Sequence, residues 1–142
     1  MDDPISGSPG GKLVLLVDDD ESLLDLIEHV VKKEGFRTER AANGADALRK
    51  ARALSPDLLI LDLMLPGVGG YEVLRQLQAD GCGDIPIVVI TGRALDPRGA
   101  DLVRQESNVK EFMVKPVRPA AIVSALHRLL NTRPIQPRPE TT

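Results

Sequence analysis

Several apolar runs of four or five residues alternate along the chain with segments in which apolar residues recur every three or four positions. Continuous runs of this kind are typical of strands that are covered on both faces of a parallel sheet. We predict such strands at residues 12–18, 57–62, 85–91 and 111–115. The segment from Phe36 to Ala42 is more polar, which favours a strand at the edge of the sheet.

The segments between these strands have helical spacing. Helices are predicted from Leu23 to a stop at Gly35, at 45–54, from Tyr71 to about Gly81, within 96–106 and at 119–130. The last helix opens with a proline, which is favoured in the first turn. Five strands and five helices in strict alternation predict an α/β fold with a doubly wound parallel sheet and right-handed crossovers.

Length and composition limit the class of protein. The chain has 142 residues, of which 42% are hydrophobic, so it can form one globular domain. We assign residues 12–130 to this domain, 1–11 to a flexible N-terminal segment and 131–142 to a Pro-rich tail or the start of a linker. The single cysteine, Cys82, provides neither a disulfide framework nor a thiolate zinc site.

Charge and targeting signals exclude further classes. The net charge is −3 and aromatic residues make up only 2%, so the basic face and stacking aromatics that nucleic-acid binding requires are missing. No apolar stretch is long enough to cross a bilayer, and the N-terminus lacks the pattern of a signal peptide. We therefore expect a cytoplasmic protein that binds neither nucleic acid nor membrane through this domain.

Polar residues follow the predicted strands at the points where the strands end. The acidic run Asp18–Asp20 follows the first strand, and Asp62 closes the third. Thr91–Gly92 ends the fourth strand, and Lys115 ends the fifth. The carboxyl ends of parallel strands share one edge of the sheet, and ligands of such folds bind there. The sequence thus predicts a site of carboxylates, a hydroxyl and an ammonium.

These residue types suit phosphoryl transfer to a carboxylate. A carboxylate can accept a phosphoryl group and form a mixed anhydride. An anionic donor among several carboxylates requires a counter-charge, however, and Mg²⁺ supplies one with the oxygen ligands it prefers. Asp19 and Asp62 could bind this ion directly, with Asp18 holding a metal-bound water. Mn²⁺ is a substitute for Mg²⁺ in such a site.

The other strand-end residues suit the phosphoryl group itself. Lys115 can pair with one phosphoryl oxygen, and the Thr91 hydroxyl can donate a hydrogen bond to another. Backbone N–H groups around Gly92 could complete the cradle, because a side chain as small as hydrogen leaves room for them. Positioning and electrostatic stabilisation supply most of what phosphoryl transfer requires. Asp62 is therefore the candidate acceptor.

At these residues the sequence resembles the response-regulator receiver domain of two-component signalling, over about residues 12–130. The motifs that carry the resemblance follow the strands in order and are Val17-Asp18-Asp19, Leu61-Asp62, Pro66 with Gly70, Thr91-Gly92 and Lys115-Pro116. The resemblance implies a flavodoxin-like sheet of order 2-1-3-4-5. It also implies Mg²⁺-dependent phosphorylation of Asp62 by a histidine kinase or histidine phosphotransfer protein, slow self-dephosphorylation, and a conformational change that another protein detects.

The resemblance further implies roles for residues near the acceptor. Thr91 and Phe112 would reorient together when phosphate arrives, and the backbone carbonyl of Met64 would be a metal ligand. Met64 and Arg93, two residues after Asp62 and Thr91, occupy positions that modulate the phosphoryl lifetime. We hypothesise that Arg93 screens the phosphoryl group and lengthens its lifetime. A phosphorylated Arg93→Ala variant that decays no faster than the parent would contradict this hypothesis.

Two other functions remain open from the sequence. A metal-dependent phosphohydrolase also forms an aspartyl phosphate, but it usually has a second acid close after the nucleophile, where this chain has Leu63 and Met64. A pseudo-receiver scaffold would take no phosphate, and the intact acidic pair, Thr91 and Lys115 argue against it. We therefore expect a phosphorylation-dependent switch in protein–protein interactions and not a turnover enzyme.

Several polar residues outside the site have simpler explanations. Asp20 is expected to cap the first helix, whereas Gly69 should give the third helix a weaker cap. His29 and His127 lie on predicted helices away from the strand ends and are expected at the surface or at its boundary.

The segment before the fifth strand departs from the family pattern. It contains Asp96-Pro97-Arg98-Gly99 and lacks a Gly-Ala signature, so the fourth helix is expected to be short or mobile. This helix forms the family's usual output face together with the fifth strand and the last helix. The downstream partner and a phosphorylation-dependent dimer through that face therefore stay open.

Overall fold

Five parallel strands form the sheet of this protein. The computed structural model describes residues 10–65, 67–92, 101, 103, 105 and 108–133. The strands are β1 (Leu13–Val17), β2 (Arg37–Ala41), β3 (Leu58–Asp62), β4 (Ile87–Thr91) and β5 (Val109–Val114). Every neighbouring pair is parallel, and the order is β2-β1-β3-β4-β5. The predicted strand order is confirmed, as is the edge position of β2.

Four helices have both ends within the described residues: α1 (Glu21–Lys33), α2 (Gly44–Leu54), α3 (Gly70–Ala79) and α4 (Pro119–Leu130). The helix predicted within 96–106 falls mostly outside those residues. Asp101 and Val103 have helical backbone, and the Gln105 N–H donates to the Asp101 carbonyl at 3.0 Å. In the part of the chain that the structure describes, no helix is long and apolar enough to span a membrane.

The apolar runs are buried because helices cover both faces of the sheet. Strands β1, β3 and β4 are buried along their whole length, and successive residues point to opposite faces. One core contains Leu15, Leu59 and Val89 with the apolar sides of α2 and α3. The other contains Val14 and Ile60 with the apolar sides of α1 and α4. The three interior strands, β1, β3 and β4, thus hold their carboxyl ends at fixed positions.

His127 of α4 contradicts its predicted surface or boundary position, because its residue is only 7% exposed. Its Nδ1 lies 2.6 Å from Thr132 Oγ1, its Nε2 lies 2.8 Å from Glu34 Oε1, and its ring packs 5.4 Å from the Phe36 ring. Both ring nitrogens have partners, so the imidazole can be buried without losing hydrogen bonds. Thr132, which the sequence assigns to the tail or linker, is buried as well. His29 is exposed, as predicted.

Candidate functional site

Three acids meet where β1 and β3 end. Val17 pairs in register with Leu61, so Asp18 and Asp62 follow from neighbouring strand ends. One oxygen from each of Asp18, Asp19 and Asp62 lies within 4.8 Å of the others. Asp18 and Asp62 are 1% and 2% exposed, whereas Asp19 is exposed. The structure therefore brings together the three acids singled out from the sequence, with the cluster accessible on the Asp19 side.

Backbone N–H groups hold the two buried acids in place. The Asp20 N–H donates to Asp18 Oδ1 at 2.9 Å, and the Met64 N–H donates to Asp62 Oδ1 at 3.0 Å. The Asp18 N–H itself donates to the Ala41 carbonyl at the end of β2 at 3.1 Å. In each acid a carboxylate oxygen accepts from the residue two positions later, a local turn that Asp favours. The other oxygen, Oδ2, is left to contact Lys115.

Lys115 provides the positive charge of the site. Its backbone N–H donates to the Thr91 carbonyl at 2.8 Å, which joins the ends of β4 and β5, and its peptide bond to Pro116 is cis. Its Nζ lies 3.1 Å from Asp18 Oδ2 and 3.4 Å from Asp62 Oδ2. Burial lowers the pKa of Lys115, but the hydrogen bond to Asp18 and the charges of both acids outweigh it and raise the pKa above its ordinary value. Lys115 is therefore a cation at neutral pH.

Counted over the described residues, the site holds more negative than positive charge. Burial raises the pKa of Asp18 above its ordinary value, and the Asp62 charge adds to this effect. The hydrogen bond from the Asp20 N–H and the Lys115 ammonium oppose the rise in pKa without cancelling it. Three carboxylates against one ammonium, all oxygen donors within 4.8 Å, fit a hard divalent cation such as Mg²⁺.

Thr91 contributes a buried hydroxyl at the end of the strand next to β3. It ends β4, its residue is fully buried, and its Oγ1 has no hydrogen-bond partner among the described residues. A buried hydroxyl without a partner costs about 1–3 kcal/mol, so a ligand oxygen that accepts from it would recover that free energy. The next residue, Gly92, is exposed, and a Cβ built there meets no described atom within 4 Å. Among the described residues, nothing therefore crowds the position of the predicted phosphate cradle at Gly92.

The structure describes some, but not all, of the remaining residues singled out from the sequence. Met64 lies two residues after Asp62 and is 55% exposed. Phe112 pairs with Val89, is half-buried and packs against the core that contains α2 and α3. Its role as a switch residue stays a prediction. Arg93 lies outside the described residues, as does Pro66.

The helix caps near the site follow the sequence predictions. Asp20 is the N-cap of α1, and its carboxylate accepts from the N–H groups of Ser22 and Leu23 at 3.0 and 3.2 Å. Gly69 is the N-cap of α3 and makes no side-chain cap hydrogen bond. Both predictions are confirmed.

Glycine at two positions permits close backbone contact around the acceptor. A Cβ on Gly70 would lie 2.5 Å from Leu63 Cα and 2.7 Å from the Asp62 carbonyl oxygen, so only glycine lets α3 begin this close to β3. The sequence analysis missed the second, Gly44, whose added Cβ would overlap the Val68 carbonyl oxygen. Its only signal in the sequence is a glycine at the start of a helix, where helix propensity disfavours it.

Comparisons with known proteins agree with this fold and site. Residues 14–127 match the family model described as the response regulator receiver domain. The DNA-binding response regulator MtrA of Mycolicibacterium smegmatis is 38% identical over 125 residues, which cover 87% of this chain and 53% of that protein. This chain thus spans about half the length of the curated relatives it matches.

Solved structures show the same arrangement of strands and helices. A CheY-like receiver domain from Methanospirillum hungatei superposes with a TM-score of 0.78 at 26% identity, covering 84% of this chain and 94% of that one. The receiver domain of a Pseudomonas aeruginosa sensor histidine kinase has a TM-score of 0.76 at 26% identity, covering 87% of this chain and all of that one. That structure has a magnesium ion coordinated in its active-site cleft. The chain belongs to the response-regulator receiver family of two-component signalling.

Proposed function

We propose that this chain accepts a phosphoryl group on Asp62 and changes its protein contacts in response. The proposal rests on the groups that surround Asp62. Its carboxylate is almost fully buried at the end of β3, two further acids lie within 4.8 Å, and the Lys115 ammonium lies 3.4 Å away. Buried acids in charge clusters of this kind are more typical of functional sites than of purely structural positions.

The donor in this proposal is a phosphohistidine on a histidine kinase or histidine phosphotransfer protein. An Asp62 oxygen attacks phosphorus, a P–O bond forms as the P–N bond breaks, and the departing imidazole takes up a proton from solvent. Lys115 pairs with a phosphoryl oxygen, and the Thr91 hydroxyl, which has no partner among the described residues, donates to another. Most of the catalytic effect then comes from groups that are held in place before the donor arrives.

Asp18, Asp19 and Asp62 would hold the divalent cation, with the Met64 carbonyl as a further ligand. Bound there, Mg²⁺ or Mn²⁺ would offset the negative charge of the acceptor and the donor. Asp19 is the exposed member of the group, so it offers the path by which the ion and the donor enter.

The chain is proposed as a switch and not as a turnover enzyme. Leu63 and Met64 follow the acceptor, so no second acid stands there to activate water against the acyl phosphate. Thr91 and Phe112 lie on adjacent strands, β4 and β5, which gives a physical route from the phosphoryl group to the β5 edge of the sheet. The DNA-binding function named for MtrA belongs to that longer protein, and this domain is proposed to act on other proteins.

Intact mass after incubation with acetyl phosphate and Mg²⁺ tests the proposal. We expect one phosphoryl adduct on the parent, none on Asp62→Asn and none with a chelator. Asp20→Asn is the matched control, because Asp20 borders the site and Asn caps a helix equally well, so the adduct should persist. A folded parent without an adduct would favour the phosphate-independent scaffold. Continuous release of phosphate at many turnovers per chain would favour the phosphohydrolase.

A further inference from the structure

The acceptor and its metal site depend on the loop that joins β3 to α3, which comprises residues 63–69. This loop has neither helix nor strand in its described residues. Its Met64 N–H donates to Asp62 Oδ1, and Leu65 is buried in the core formed with α2 and α3. Gly70 anchors the far end of the loop, where its N–H donates to the Leu63 carbonyl at 3.1 Å. The position of this loop therefore sets the orientation of Asp62.

Gly44, the buried first residue of helix α2, lies against the loop at Val68. A Cβ on Gly44 would overlap the Val68 carbonyl oxygen and would lie 3.0 Å from both Val68 Cβ and Val73 Cγ2. Cβ atoms in folded proteins do not approach a backbone oxygen this closely. Val68 can therefore pack against the first turn of α2 only because residue 44 is a glycine and has no Cβ.

The loop is held by fewer groups than α2 on the two sides of this contact. Helix α2 buries Ala47, Leu48 and Ala51 in the core, and the Asn43 side chain caps it by accepting from the Asp46 N–H at 2.8 Å. The loop is held by fewer groups: Val68 is half-buried, and Met64 is more than half exposed. Close-packed interiors transmit strain, so we expect crowding at this contact to displace the loop.

We propose that Gly44 is a positioning residue for the metal site, which it sets through Val68 and the loop that holds Met64 against Asp62. Gly44 contributes no ligand atom and lies on a different element from the acids. The inference rests on the proposed function in so far as the site binds Mg²⁺, but the loop geometry can be tested without any metal.

The test compares Gly44→Ala with Gly69→Ala, a matched control in the same loop. A Cβ at Gly69 meets no described atom within 4 Å, and its φ of −71° suits any residue. In a metal-free sample, amide hydrogen exchange at Met64 should be several times faster in Gly44→Ala than in the parent, because the bond to Asp62 Oδ1 is weakened. Calorimetric titration with Mg²⁺ should give about 10-fold weaker binding, as for other residues that orient metal ligands. Gly69→Ala should match the parent in both measurements.

The outcomes separate this inference from the proposed function. A parent that binds no Mg²⁺ contradicts the proposed function, while Met64 exchange still tests the positioning role. Unchanged Met64 exchange with faster exchange at Asp46 and Ala47 would show that α2 yields, which overturns the inference. If the parent binds Mg²⁺ and Gly44→Ala binds it with equal affinity, the inference is also overturned.

A measurement on the unaltered chain covers the case in which Gly44→Ala fails to fold. Coupling between two positions is reciprocal, so binding of Mg²⁺ should change the environment of Gly44. We expect the amide resonances of Gly44 and Val68 to shift together with that of Met64 as Mg²⁺ is added, while Gly81 at the far end of α3 stays unchanged. A shift at Met64 with none at Gly44 or Val68 would refute the coupling.

Discussion

The ammonium of Lys115 lies closer to Asp18 than to the candidate acceptor, Asp62: 3.1 Å against 3.4 Å from the respective Oδ2 atoms. One cation is thus shared between two acids that are almost fully buried. The pKa of Lys115 is raised by this pairing, whereas burial raises the pKa of Asp18 in spite of it. Among the described residues, the negative charge of the site is therefore only partly compensated.

Removing the ammonium should destabilise the metal-free domain. For Lys115→Met we expect the free energy of unfolding in a chelator to fall by about 2 kcal/mol. This is below the roughly 3–5 kcal/mol lost from fully buried pairs, because the Lys115 side chain retains 22% exposure. Mg²⁺ should reduce the loss, since it supplies the missing positive charge. Urea denaturation measures both values, and Lys33→Met, at an exposed residue of α1, is the control. An equal loss with and without Mg²⁺ would contradict the electrostatic explanation.

Removing the Asp18 charge should have the opposite effect at neutral pH. Because the pKa of Asp18 is raised in the folded state, its proton stabilises the fold below the ordinary pKa of 3.8, and that stability is lost as the pH rises through the folded pKa. Asn at this position can still accept from the Asp20 N–H. We expect Asp18→Asn to raise the free energy of unfolding by about 1 kcal/mol at neutral pH in a chelator.

The advantage of Asp18→Asn should disappear as the pH falls to 3.8, where Asp18 of the parent is protonated. Urea denaturation across this pH range measures the difference between the two chains. Asp84→Asn, at an exposed loop acid, should show no such trend. A constant difference at every pH would mean that the charge of Asp18 is not its source.

Binding of Mg²⁺ should stabilise the folded chain by mass action. At an ion concentration about 100 times the dissociation constant, the gain is about 2.7 kcal/mol, and thermal unfolding should shift upward accordingly. Mn²⁺ should reproduce the shift and a chelator should reverse it. In Asp62→Asn the shift should be largely lost, because a ligand of the acidic cluster is missing. A full shift in that variant would place the ion elsewhere.

His127 lies at a distance from the site, and loss of its side chain should lower the free energy of unfolding. His127→Ala removes hydrogen bonds to Thr132 and Glu34 and the contact with Phe36, which we expect to cost about 3 kcal/mol. Chemical denaturation measures the loss, and His29→Ala, at an exposed residue of α1, should change stability by less than about 0.5 kcal/mol. The folded His127→Ala chain should still accept phosphate from acetyl phosphate. Equal effects of the two substitutions would contradict the structural role of His127.

Most of the fold could be predicted because its signals are local. Continuous apolar runs determine buried strands, and α4 spans the predicted residues, 119–130. The start of β5 was missed by two residues: the register with β4 shifts between Ile87 and Val88, and a strand pairing of this kind leaves no local pattern. His127 was misplaced for a similar reason, since its partners Glu34 and Thr132 come from other segments.

The sequence by itself determined which chemical groups stand at the strand ends, because each of Asp18, Asp62, Thr91 and Lys115 directly follows or ends an apolar run. Only the tertiary structure decided their mutual geometry: which carboxylate oxygen faces Lys115, that the Thr91 hydroxyl is buried without a described partner, and that Val68 lies so close to Gly44 that an added Cβ would overlap its carbonyl oxygen. The physical reason is the sequence separation between the residues that interact. Strand and helix patterns arise between residues a few positions apart, whereas distances, burial and shared charge depend on the packing of segments that the chain order separates.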